Sequence, residues 1–361
     1  MKDYSDIRLL VTRPVGPGGV AAFYDAIEPY LGSGTEMVII HNPDAKNLLA
    51  KVVSFPRILM RFIVKAIRVD VVCCNPSLVW DAVFRDMVFM SVSQLMGKRT
   101  VVFFHGWDEK VENRIAENPI LRWLFLKTYG RAEGILVLGS IFERKLRKLG
   151  IQTPCHRITT VASGQGCSSA EIRAKAEETA HTIRCLFISR LVAGKGMDEA
   201  IEIYLAIKER FPEKKVSLTI AGDGAELKRL EKLIEERAIP DVSLPGFLGG
   251  EAKERVYRSH HILLLPSRAE GLPSVVPEAM LYGLVLAMSP VGGVPDLVTD
   301  QKNGILLSLD DLSASTERLC AVIESTDSVC DIAMSNHNLA LNSLTPEQVA
   351  KQFLTINLSA L

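Results

Sequence analysis

The chain has 361 residues, 48% of them apolar and 23% charged, with 42 Lys+Arg balanced by 42 Asp+Glu. That length exceeds one ordinary hydrophobic core and predicts two domains of roughly 150 to 200 residues, while the composition excludes a disordered chain. The zero net charge hides an asymmetry: residues 1–160 carry 22 Lys+Arg against 15 Asp+Glu and residues 161–361 carry 20 against 27, so the halves stand at +7 and −7. Such a split suits two different partners, an anionic surface for the first half among them, or simply two halves that attract one another.

Short β-rich apolar runs alternate with longer stretches of helical period, the pattern of parallel sheets covered by helices on both faces. In the first half the strands read IRLLVTR, EMVIIH, VDVVCCN, TVVFFHG and GILVLGS. After the first strand comes PVGPGGV, where Gly16, Gly18 and Gly19 open a helix at which the backbone must approach something closely. It is not the G-x-G-x-x-G of a dinucleotide site, and the second strand ends in His41 rather than an acid.

The segment 57–68, RILMRFIVKAIR, follows. Its Arg57, Arg61, Lys65 and Arg68 form one basic stripe at helical spacing, with Pro56 suited to the first helical position and Lys46 and Lys51 adding charge nearby. This predicts either a membrane-surface element, with Ile58 or Phe62 entering the interface beside the basic residues, or a sheet-packing helix with a basic exposed face. The adjacent Cys73 and Cys74 sit in a strand-like run and read as core. Seven cysteines without paired metal spacing fit reduced thiols. The fourth strand ends in His105, Gly106, Trp107 and Asp108, at a sheet edge where ligands of open α/β sheets bind.

Residues 163–182 read as the linker between domains placed at 1–165 and 166–345, with a last helix, 346–361, expected to return to the first domain. In the second half the strands read RCLFISR, VSLTIAG, VSLPGF, HILLLPS, LVLAMS and GILLS. The first of these runs into Arg190 and, five residues on, Lys195 at the start of a helix, a phosphate-shaped arrangement of guanidinium, ammonium and free N–H groups. Gly222 and Gly224 allow a sharp turn and close approach to a ligand, and Asp223 is as suited to capping the next helix as to touching one.

The loop RAEGLP and the helix after it place Glu270 and Glu278 on either side of Gly271, Leu272, Pro273 and Ser274. With Ser274 as N-cap, the N–H groups of residues 271–275 can donate to an anion, and the two carboxylates can accept from hydroxyls such as a sugar or ribose presents. For Glu278 the plainer reading is a first-turn acid favoured by the helix dipole. That reading does not account for Glu270 in a Gly-Pro loop.

Arg190 and Lys195 after one strand, the Glu270 and Glu278 pair after another, GGVPD after that, and His105-Gly106 in the first half together resemble the retaining glycosyltransferases of family 4, also called group 1. The resemblance spans most of the chain and is strongest over 183–304. It implies an α/β fold of GT-B type, two Rossmann-like doubly wound parallel-sheet domains about a cleft, with acceptor bound by the first and nucleotide-sugar by the second. It further implies that Arg190 and Lys195 neutralise the donor diphosphate, Glu270 binds the donor sugar and Glu278 the ribose. The backbone near Gly246 and Phe247 would contact the base, Gly18 and Gly19 would admit the diphosphate, and His105 would meet the sugar near the reacting carbon.

No cofactor and no metal is expected, because these cations and N–H groups supply the charge stabilisation a metal would give. The chain departs from the family at VASGQGCSS, where relatives have an Asn-Gly-Val type turn, and at Asp296, where they often have Glu and where a helix-capping acid is the reading here. The expected partners are a nucleotide-sugar, most simply a UDP-sugar, and a glycan or lipid-linked acceptor, with an anionic membrane surface and no nucleic acid. Alternatives are a nucleotide-sugar epimerase of similar fold and a noncatalytic partner subunit. The start, MKDYSDIRLL, lacks an export signal's order, and the longest uncharged run, 279–295, is too short to span a bilayer, so a cytoplasmic protein, peripheral on the inner membrane face, is expected.

Overall fold

A computed structural model describes residues 7–16, 18–40 and 48–359; His41 and Lys46 lie outside them, as does the side chain of Lys51. The chain divides into two units, Met1–Val161 with Pro346–Leu361, and Ala162–Thr345. Among the described residues each unit is built on one six-stranded parallel sheet.

In the first unit the strands are β1 (Leu9–Arg13), β2 (Thr35–Ile39), β3 (Val71–Cys74), β4 (Arg99–Phe104), β5 (Gly134–Val137) and β6 (Cys155–Arg157), in the order 2-1-3-4-5-6. In the second they are β7 (Thr182–Ile188), β8 (Lys215–Ala221), β9 (Val242–Gly246), β10 (Ile262–Leu265), β11 (Val285–Met288) and β12 (Gly304–Leu306), in the order 12-11-10-7-8-9. The second order is that of a Rossmann sheet, with its reversal between β7 and β10; in the first unit the reversal falls between β1 and β3. Loops leaving the C-terminal ends of those strand pairs diverge to opposite faces, and the gap between them is where a ligand fits. VVCC of β3, ILLL of β10 and VLAM of β11 are buried at every position, so strands covered on both faces announce themselves as unbroken apolar runs.

The helix Pro346–Ser359 belongs to the first unit, where its Phe353 is fully buried in a ring cluster with Phe23, Tyr24 and Phe103. The segment expected as a linker is mostly a helix of the second unit, Ser169–Glu178, opened by a capping box in which Ser168 and Glu171 exchange hydrogen bonds. It buries Ile172 and Ala176, and the Lys175 ammonium donates to the carbonyls of Tyr282 (2.6 Å) and Tyr257 (3.4 Å). Burial pushes that lysine down to about 8.

The basic helix also differs from expectation. It runs from Leu48 to Ala66, so Pro56 is interior rather than first. Ile58 and Phe62 are buried, Phe62 against the ring of Phe89 at 4.7 Å, because they face the core side of the helix. Lys65 leaves the stripe to donate to the carbonyl of Met37 (3.0 Å) and pair with Glu36 (3.3 Å). Arg57, Arg61 and Arg68 stay exposed.

Candidate active site

The second unit concentrates polar groups at its reversal point. The loops after β7 and β10 are stitched together there: the N–H of Arg268 donates to the carbonyl of Gly194 (2.9 Å), and the hydroxyl of Ser267 donates to that of Lys195 (3.2 Å). Gly196, at φ +83°, passes so close to Pro266 that a Cβ would lie 2.1 Å from its carbonyl oxygen. Across this seam Lys195 Nζ donates to Glu270 Oε1 at 2.6 Å, with side chains only 16% and 10% exposed. The two residues assigned to diphosphate and sugar are therefore each other's partner. Arg190 stands in the same loop after β7, exposed, its side chain without an ionic or hydrogen-bonding partner among the described residues.

On the β10 side, Leu272 is buried and anchors the loop, while Gly271, Pro273 and Ser274 are partly exposed. Ser274 is the N-cap of Val275–Leu281 by position, but its side chain makes no capping bond. No acceptor among the described residues takes the N–H of Gly271, Leu272 or Ser274. The loop after β11 closes on this one: Gly293 N donates to the carbonyl of Gly271 (2.6 Å), and Gly292, at φ +58°, would place a Cβ 2.3 Å from the carbonyl oxygen of Glu270. Asp296 stands in the first turn of the short helix Val294–Leu297, whose N-cap position is Gly293.

Glu278 is buried with both oxygens engaged. Lys253 Nζ donates to Oε1 and the Tyr257 hydroxyl to Oε2 (2.9 Å), and Lys253 lies 2.7 Å from either oxygen. Burial raises the carboxyl pKa, with Lys253 and Tyr257 working against that rise. These two partners lie one turn apart on the helix Gly250–Ser259, an i, i+4 spacing that looks the same on any solvated helix. Phe247 follows β9 and is largely exposed, its ring beside Gly249.

Gly222 and Gly224 make the sharp turn expected of them, and it brings their backbone close to another loop. A Cβ at Gly222 (φ +149°) would lie 1.8 Å from the carbonyl oxygen of Ser189, and one at Gly224 (φ +157°) 2.2 Å from that of Leu191. Their close approach is to the loop carrying Arg190, which they position. Gly16, Gly18 and Gly19 in the first unit are the opposite case: a Cβ there meets nothing within 4 Å, although Gly16 (φ +100°) and Gly18 (φ +154°) still need glycine's backbone freedom.

In the first unit, His105 follows β4 and is 9% exposed. Its Nε2 donates to Asn75 Oδ1 (3.3 Å), which also accepts from the Tyr24 hydroxyl; Asn75 in turn donates to the carbonyls of Thr12 and Cys73. The rings of Phe103, Phe23 and Tyr24 enclose the imidazole, at centroid distances of 3.6, 5.4 and 5.7 Å. Burial pushes its pKa down to about 3, so it is a neutral hydrogen-bonding group at neutral pH. Asn75 after β3 and Thr12 in β1 flank the reversal point of this sheet, and both escaped the sequence reading. Among the described residues no three His, Cys, Asp or Glu side chains are grouped as metal ligands.

The sequence model of the family described as "Glycosyl transferases group 1" matches residues 168–333. The putative colanic acid biosynthesis glycosyltransferase WcaL of Escherichia coli (strain K12) is 26% identical over 234 residues, 62% of this chain and 55% of WcaL. The amylovoran biosynthesis glycosyltransferase AmsK of Erwinia amylovora is 28% identical over 228 residues, 61% of this chain and 54% of AmsK. The alignments thus span about half the length of these curated relatives. Among solved structures, Anabaena Alr3699/HepE in complex with UDP superposes with a TM-score of 0.73 at 17% identity, covering 98% of this chain and 100% of that one. That likeness shows the fold, a two-domain α/β fold of GT-B type. Residues 168–333, nearly the whole second unit with its loops at the sheet reversal, are thus the part of the chain that matches the group 1 glycosyl transferases.

Proposed function

We propose that the protein is a retaining, metal-independent glycosyltransferase that moves a hexose from a UDP-sugar to a hydroxyl of a glycan or lipid-linked acceptor. WcaL and AmsK are named as glycosyltransferases of colanic acid (putative) and amylovoran biosynthesis, and HepE has been solved with UDP-glucose, which supports this choice of donor and pathway class. The observation that carries the reading is the Lys195–Glu270 pair bridging the sheet reversal, with Arg190 open beside it and unpaired N–H groups on the facing loop.

In this reading the bond from the sugar's anomeric carbon to the diphosphate oxygen breaks as the acceptor hydroxyl bonds to the same carbon. The hydroxyl proton passes to the departing diphosphate on the same face, which retains configuration. Arg190, Lys195 and the N–H groups of Gly271, Leu272 and Ser274 meet the charge that grows on the diphosphate, and they take the place of a divalent cation. Glu270, held by Lys195, accepts from the sugar hydroxyls. Glu278 accepts from the ribose, and His105 offers the sugar a neutral contact.

Incubating purified protein with a panel of UDP-sugars and membrane extract, in excess EDTA, tests this. Transfer of label into acceptor with the donor's anomeric configuration is expected. Conversion of donor without any acceptor, inversion, or activity that returns only on adding Mg²⁺ or Mn²⁺ would each overturn the corresponding part.

A further inference from the structure

The helix Leu48–Ala66 carries two apolar faces. Ile58, Phe62 and Ala66 face the core. Leu49, Val53, Met60 and Val64, with Ile67 in the turn that continues the helix, recur at helical spacing on the opposite side and point into water, Met60 at 61% and Ile67 at 62% exposure. Such a stripe contributes nothing to the fold of the unit that bears it.

The stripe is not isolated. The helix Trp80–Leu95 packs against Leu48–Ala66 and adds exposed Phe84 and Val88; the helix Pro119–Thr128 packs against Trp80–Leu95 in turn and adds exposed Ile120, Trp123 and Leu124. On the two outer helices the charge has one sign. Arg57, Arg61 and Arg68 run along one edge of the stripe, Lys127 lies exposed on the third helix, and neither 48–68 nor 119–132 contains an acid. The middle helix holds two acids, Asp81 and Asp86, of which Asp86 is buried against Arg85.

From this geometry we infer that the three-helix face docks the protein on an anionic lipid surface. Its apolar side chains enter the headgroup boundary, and its arginines meet lipid phosphates. A second copy of the chain fits less well, because a two-fold contact through this face would bring like-charged arginines together. The inference concerns the first unit alone and does not depend on the transfer reaction.

Sedimentation of the full-length protein with vesicles tests it. Vesicles with about a third phosphatidylglycerol should bind the wild type in low salt, and pure phosphatidylcholine vesicles should not. R57Q/R61Q/R68Q should lower partitioning about a hundredfold, since each basic residue near the surface contributes about a factor of five to ten. V53S/M60S/V64S/I67S should lower it at least tenfold while melting as the wild type does, because these side chains are already exposed. Trp123 fluorescence, isolated by comparison with W123F, should be quenched by brominated lipid. Absence of wild-type binding to either vesicle overturns the inference. So does a dimer, seen by light scattering, that the serine variant dissociates while neither variant changes vesicle binding.

Discussion

Lys195 and Glu270 are 75 residues apart in sequence and joined at 2.6 Å across the reversal of the second sheet, each largely shielded from water. Neither can be removed without leaving the other's charge uncompensated. Arg190→Ala and Lys195→Ala should each weaken UDP binding by about 1.5 to 3 kcal/mol, the worth of a charge-assisted hydrogen bond. Lys195→Ala with Glu270→Ala should be non-additive in thermal stability by about 0.5 to 3 kcal/mol, as for residues in direct contact. Calorimetric UDP titrations and melting curves of the two singles and the double give both numbers, and strict additivity would show the pair to be uncoupled.

The two glutamates should fail in different ways. Glu278→Ala removes the acceptor shared by Lys253 and Tyr257, so it should both weaken UDP binding and cost about 1 to 3 kcal/mol of stability. Glu270→Ala should chiefly lower turnover with the sugar donor. Tyr257→Phe, which deletes one hydroxyl, should cost about 1 kcal/mol and leave turnover intact. Equal losses of UDP affinity in the two glutamate variants would contradict the division of labour.

Gly222 and Gly194 sit in neighbouring loops and both have positive φ, but their surroundings differ. Gly222→Ala drives a Cβ into the carbonyl oxygen of Ser189 and should destabilise by more than about 2 kcal/mol or prevent folding. Gly194→Ala (φ +85°) has open space and should cost only the left-handed penalty, about 1 to 2 kcal/mol. Thermal melts rank the two, and a Gly222→Ala protein as stable as the wild type would remove the structural role assigned to that glycine.

His105 should not titrate in the physiological range. Its folded pKa is depressed to about 3, so the native state holds a neutral imidazole while the unfolded chain takes up a proton below about pH 6.5. Its stabilisation is therefore complete above that pH and is lost as pH falls toward 3, at up to about 1.4 kcal/mol per pH unit. The ring signal that disappears in His105→Gln should keep a constant chemical shift from pH 8 to 5, and that variant should lose less stability than the wild type over the same interval. A midpoint near 6.5 in the wild-type signal would show the imidazole to be hydrated.

Eleven of the twelve described strands were legible in the sequence because parallel strands buried on both faces are unbroken apolar runs. The one missed, Cys155–Arg157, is a three-residue edge strand with polar side chains. Ser169–Glu178 read as a linker because Lys175 looks like a surface residue until its ammonium is seen on two buried carbonyls. Glu270 stood out, since a loop of Gly and Pro gives a carboxylate no structural occupation. Lys253, Tyr257, Tyr24 and Asn75 did not, because what distinguishes them is the residue each meets from another part of the chain. The basic stripe at 57–68 was visible, but which apolar side of its helix turned inward depends on Phe89, contributed by a different helix.

The helix that ends the described chain belongs to the first unit, so the second unit is an insertion of 184 residues, 162–345, within the sequence of the first. The N–H of Ala162 donates to the carbonyl of Leu344 at 2.8 Å, which ties the insertion's entrance to its exit and lets it close as a unit of its own. During synthesis the sheet of the first unit emerges early, yet the space among Phe23, Tyr24 and Phe103 waits for Phe353, which follows the whole insertion. The unit whose sheet appears first is thus completed only after the insertion has been made, and removing the helix Pro346–Ser359 reaches the centre of its core.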